Sequence, residues 1–349
     1  MSSVLRKPMQ RVKLAVVVVV GWLLAVNGTP SYAKEFHGIS NAVWSPDGRR
    51  IAFIYTDVGA QGATEDLYVM GVESIVPAKM GKDVESFVWS PDSKQIAVTY
   101  YNASGITVME AMAVGGDKPI RVSSNGRWPV WSADGSQLFY VAGEQVSMMK
   151  ADGSDITTLM AIKDAPKTVW QTQWSVDRQS LAFLGQIKGD NVGLFVADKN
   201  GLRQLKTGEY PGAFSWSPDG KQLVAETACE NNPPGLCIYN AASGEATFLG
   251  LGHAPLWSPD GKQIAFWLNS QVCIMNVDGT AQQCLTEKQE NNIIMLHQWS
   301  PDGKRLLFSR AFAPSPNGTE FRFAFDTFIL DVQRETVRRW FDASLIKKS

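Results

Sequence analysis

Few side chains in the 349-residue sequence could carry acid–base, nucleophilic or metal chemistry. Histidine occurs three times, as His37, His253 and His297. A Ser–His–Asp relay could still assemble from distant segments, but the G-x-S-x-G elbow that exposes a hydrolase nucleophile is absent from the sequence. His253 and His297, together with Glu85, are the candidates for a metal-assisted reaction on a glycan or small molecule. A catalytic metal takes about three protein ligands, so carboxylates would have to complete a set that begins with two imidazoles. The plainer reading is that both imidazoles line a channel, and no cofactor is expected.

Cysteine occurs four times, at Cys229, Cys237, Cys273 and Cys284. An even number suits two disulfides in an exported chain, with three pairings open. Cys273 and Cys284 sit symmetrically about Asp278-Gly279, so a tight hairpin there sets them opposite one another, within disulfide reach. Cys229 and Cys237 flank Asn231-Asn232-Pro233-Pro234 and could close a short loop. Zinc is the rival reading, but no C-x-x-C pair is present.

The first 33 residues read as a leader. Arg6, Lys7, Arg11 and Lys13 precede an apolar run from Leu14 to Val26, and Ser31-Tyr32-Ala33 places small residues where a signal peptidase reads. The expectation is cleavage after Ala33 and an extracytoplasmic mature chain, 34–349, with no membrane span. An uncleaved anchor is the alternative, although this run is short of the roughly 20 residues a spanning helix needs. Removing the four basic leader residues takes the net charge from −1 to about −5. That sign argues against nucleic acid, whose binding relies on Lys and Arg at phosphates.

One five-residue pattern organises the remainder. W-S-P-D-G begins at Trp44, Trp216, Trp257 and Trp299, and variants begin at Trp89, Trp131 and Trp174, at intervals of 45, 42, 43, 42, 41 and 42 residues. Ser-Pro-Asp-Gly is turn chemistry: Pro presets φ, Asp accepts backbone N–H groups, and Gly tolerates positive φ. Seven Asp residues are thereby explained without a calcium array. Ser93 and Arg178 replace the glycine in two copies, so those turns should be strained or differently shaped.

A short apolar strand follows each turn, as in Ile51-Ala52-Phe53. A third and a fourth strand come next, separated by a second turn such as Asp152-Gly153. Strand, turn, strand, loop, strand, turn, strand is one propeller blade, and seven blades of this length account for the mature chain as a single all-β domain, a seven-bladed β-propeller. The segment from Ile39 to Trp44 should meet the last blade, ending near Trp340, to close the ring.

The W-S-P-D-G-(K/R)-x-(I/L)-A-F pattern, clearest from Trp257 to Phe266, resembles the propeller repeat of the TolB-like family over roughly residues 38 to 341. Similar repeats occur in propellers of prolyl-oligopeptidase-type peptidases and of oligogalacturonate lyase, where the resemblance implies a histidine cluster in the central channel. The TolB likeness implies an exported, periplasmic propeller that binds other proteins. The sequence differs in having seven repeats instead of six blades and in lacking the α/β domain that precedes the propeller in TolB.

A channel site should lie where first strands enter the ring. The residues four before each motif Trp are Ser40, Glu85, Arg127, Trp170, Gly212, His253 and Met295. Two opposite charges, an aromatic and an imidazole make this set a candidate binding ring, joined by Trp128. Thr56–Asp66 and Ala311–Phe325 should be the longest loops on that face, and Phe321, Arg322 and Phe323 form a candidate docking patch. The leading expectation is a non-enzymatic module that binds a protein or peptide in an envelope or surface complex. The alternative is a metal-dependent lyase or hydrolase acting on a glycan or small molecule in the channel.

Overall fold

The structure, a computed structural model, describes residues 35–59, 62–115, 120–123, 125–161, 168–186, 192–208, 211–229, 232–289, 292–312, 322–342 and 346. Twenty-eight strands form seven four-stranded antiparallel blades: 35–81, 84–123, 127–161, 168–204, 214–250, 253–284 and 292–341. No α-helix occurs among the described residues. First strands of most neighbouring blades lie against one another, which puts them innermost, around the channel.

The repeated motif builds the turn from first to second strand in the same way each time. In blade 6, Ser258 Oγ donates to Asp260 Oδ1 (2.7 Å), Asp260 accepts the N–H of Lys262 (3.1 Å), and Ser258 Oγ accepts that of Gln263 (2.9 Å). Gly261 closes the turn at φ +74°. Hydrogen bonds from Ser258, Ser217 and Ser90 hold the carboxyls of Asp260, Asp219 and Asp92 below the usual range. The motif serines and aspartates are therefore engaged in turn capping.

Ser93 and Arg178 keep the same turn, so the expected difference in shape does not arise. Both take the left-handed conformation, at φ +61°, which a side chain adopts only at a cost. Each is held there by its side chain. Ser93 Oγ accepts the Asp47 N–H (3.0 Å), while Arg178 donates to the carbonyls of Trp131 (3.0 Å) and Ser175 (2.9 Å).

The motif tryptophans stitch blade to blade. The indole N–H of Trp89, Trp131, Trp174, Trp216 and Trp299 donates to a carbonyl on the first strand of the preceding blade, at 2.9–3.4 Å. Where the residue before the preceding Trp is polar, its side chain takes the next blade's Trp backbone N–H, as Gln173 does for Trp216 and Gln298 for Trp44. That last bond crosses the junction between the chain ends.

Each terminal blade is built from its own four consecutive strands, so closure exchanges none. Instead the start of the first strand, Glu35–His37, overhangs and pairs in parallel with Arg322–Ala324 of blade 7. Trp340 and Phe341 pack on Phe53 of blade 1, with ring centroids 5.6 and 5.1 Å apart. This overhang corrects the loop assignment. Residues 56–59 and 62–66 continue strands Arg50–Gly59 and Gly62–Gly71 in register, and Arg322–Phe325 belong to strand Arg322–Asp331. The β-branched Thr56, Val58 and Thr64 suit a strand, and pairing satisfies the backbone that a loop would have left to solvent.

Both disulfides join neighbours in the chain. Cys273 and Cys284 are directly opposed across the third and fourth strands of blade 6, and Cys229 is bonded to Cys237 in blade 5.

Candidate functional site at the channel mouth

Six first strands carry a β-bulge near the level of the proposed ring. The register skips Ser40, Glu85, Trp170 and His297, and it skips the pairs Trp128-Pro129 and Ala254-Pro255. A bulged residue drops out of the ladder and its side chain is re-aimed. Three of the seven ring residues are bulged, and Arg127 and His253 sit immediately before a bulge. In blade 7 the bulged residue is His297, while Met295 pairs regularly with Ser309.

Between blades 2 and 3 the mouth carries a cation–phenol–carboxylate chain. Arg127 Nη2 donates to the Tyr101 hydroxyl (2.5 Å), which donates in turn to Glu85 Oε1 (3.0 Å). Arg127 Nε donates to Thr107 Oγ1 (3.1 Å), and its guanidinium lies 5.2 Å from the centre of the Tyr101 ring. Desolvation, then the Glu85 charge, raises the Tyr101 pKa, so the phenol stays protonated and can act as the bridge. Glu85 Oε2 is buried and has no hydrogen-bond partner.

Three blade positions round the ring, a second cluster joins blades 5 and 6. Glu226 accepts from His253 Nδ1 (2.7 Å) and from the Ala254 N–H (3.0 Å), and the imidazole stacks on Trp267 at 4.4 Å. Holding Nδ1 leaves Nε2 as the imidazole's free valence, on a side chain that is 38% exposed. The ring residue Gly212 has a steric role here. A Cβ at that position would come within 2.9 Å of the Glu226 carboxyl carbon. Ala254 adopts φ +47° to present its N–H, a strained conformation of the kind that collects at binding sites.

The other expected residues are placed as follows. Trp128 packs beside Val130, Val141 and Trp174, and its carbonyl accepts the Trp174 indole N–H. Trp170 lies at its bulge, but its side chain is outside the described residues, as are Phe321 and the side chains of Arg322 and Phe323. The backbones of Arg322 and Phe323 pair with Glu35 and Phe36. His297 shares a 2.7 Å hydrogen bond with Ser309 and, through it, meets Thr327; desolvation lowers its pKa to about 4. Each candidate histidine is thus tied within its own surroundings. Among the described residues no group of three or more His, Cys, Asp or Glu side chains could hold a metal ion.

Sequence reasoning missed Tyr101, Glu226 and Trp267, all at the outer ends of second strands. Glu226 did carry a signal, because ten residues after the motif Trp the other blades have Ile54, Thr99, Val141, Leu184, Trp267 and Ser309. A carboxylate stands out in that series.

No protein-family model matches the chain. Over 80 residues it is 35% identical to the Tol-Pal system protein TolB of Alcanivorax borkumensis, a match covering 21% of this chain and 18% of that protein. The β-propeller domain of the trilobed protease from Pyrococcus furiosus superposes with a TM-score of 0.58 at 12% identity, over 90% of this chain and 98% of that one. Oligogalacturonate lyase from Vibrio parahaemolyticus does so with a TM-score of 0.57 at 12% identity, over 87% and 92%. Likeness at such identities concerns the fold. The chain spans less than a third of the length of the curated relatives it matches. It is a propeller with TolB-like repeats, in seven blades.

Proposed function

We propose that this propeller is an exported, non-enzymatic module that binds a protein or peptide at its channel mouth within an envelope or surface complex. The observation that carries the reading is the contrast between the two kinds of polar residue. The motif Ser and Asp side chains are used by turns, whereas Arg127 is braced by Tyr101 and Thr107, and His253 is braced by Glu226 on a side chain that stays partly exposed. Bracing before contact lowers the ordering cost of binding. The TolB-like repeats and the two disulfides, which persist in oxidising compartments, support the envelope setting.

Capture of partners from envelope extract, with wild type beside Arg127→Glu plus Trp170→Ala, tests this. A stoichiometric partner lost by the folded double variant supports the module. A second reading, an enzyme acting on a glycan or small molecule at a channel metal, is favoured by one observation, the carboxylate-held imidazole of His253. Stoichiometric metal in the purified protein, with no partner captured, would select it.

A further inference from the structure

Arg310 stands apart from the mouth clusters. It is the one charged side chain in the buried class among the described residues, at 7% exposure. Its guanidinium lies over the stacked Phe308 and Phe328, 5.6 and 5.5 Å from their centres, at the seam between blades 6 and 7. Nη1 donates to Gln289 Oε1 (2.9 Å), a neutral acceptor on the segment entering blade 7. Nε is buried without a hydrogen-bond partner.

Several other arginines of the ring are matched by carboxylates. Arg203 pairs with Asp198, Arg338 with Glu73, and Arg339 with Asp326 and Asp342. Asp326 is the residue directly opposite Arg310 across the strands, yet its carboxylate goes to Arg339. No described carboxylate makes an ion pair with Arg310; exposed Glu287 acts on it only through space. A buried, uncompensated guanidinium is costly, and its planar edge of N–H donors fits a carboxylate.

We propose that Arg310, oriented by Gln289 and the two phenylalanines, is a carboxylate-binding site at the blade 6–7 seam. It stands whether or not the mouth binds a peptide. The carboxylate is that of an acidic side chain, a peptide chain end or a small free acid.

The test uses protein labelled with ¹⁵N at arginine Nε and acetate as probe, with chloride at matched ionic strength as control. One Nε–H resonance, missing from Arg310→Lys, should move saturably with acetate and not with chloride. The melting temperature should rise by about 2 °C in wild type and not in Arg310→Met. N-acetylglutamate amide and N-acetyl-Gly-Gly then separate side-chain from chain-end carboxylates, and response to acetate alone indicates a small acid. No response in wild type, or a response only in Glu287→Gln, overturns the proposal, the latter by making Glu287 the counter-ion.

Discussion

The burial of His297 makes a pH dependence that can be worked out in advance. Its pKa is about 4 in the folded protein against an ordinary 6.5, because desolvation disfavours the imidazolium. Between those values the unfolded chain binds more protons than the native one. The stabilisation is therefore complete above about pH 6.5 and is lost as pH falls towards 4. At about 1.4 kcal/mol per pKa unit the ceiling is about 3 kcal/mol, reduced by the partial solvent contact that His297 keeps at its bulge. Urea midpoints of wild type and His297→Gln, taken from pH 7 to 4, read this out. Wild type should lose stability steeply across the window and the variant distinctly less, with His37 and His253 common to both. Parallel curves would refute the argument that His297 is held neutral.

The turns and disulfides give further tests. Ser93→Gly relieves about 1 kcal/mol of left-handed strain and loses one hydrogen bond of similar worth, so its urea midpoint should barely move. Arg178→Gly gives up two bonds from a guanidinium, and should destabilise by about 1–3 kcal/mol in the same assay. Ser217→Ala should cost about 1–3 kcal/mol by leaving Asp219 and the Gln222 N–H without their shared partner, while partner binding is unchanged. Replacing Cys273 and Cys284 with Ser should lower stability by about 2–3 kcal/mol, measured against the oxidised protein.

The seven blades were legible because the motif is local chemistry: Ser, Asp and Gly specify one turn, and its recurrence counts the blades. The Cys273–Cys284 bridge was legible for the same reason, as a hairpin fixes its own register. The mouth was half legible. Spacing from each Trp located Glu85, Arg127 and His253, but their partners Tyr101 and Glu226 sit on second strands and meet them through folds of the sheet that spacing does not encode. Gly212 has no side chain for spacing to interpret, and its meaning appears only beside Glu226. The overhang of blade 1 on blade 7 depends on residues almost 300 apart in sequence, which no periodicity reports.

Binding is expected at the mouth and not at the motif turns. The most direct measurement is the affinity of the captured partner for wild type, for Arg127→Glu plus His253→Ala, and for Ser217→Ala as the turn-face control. The mouth variant, still folded, should lose at least about 1.4 kcal/mol, a tenfold weakening, while the control binds as wild type does. Wild-type affinity in the mouth variant would contradict it.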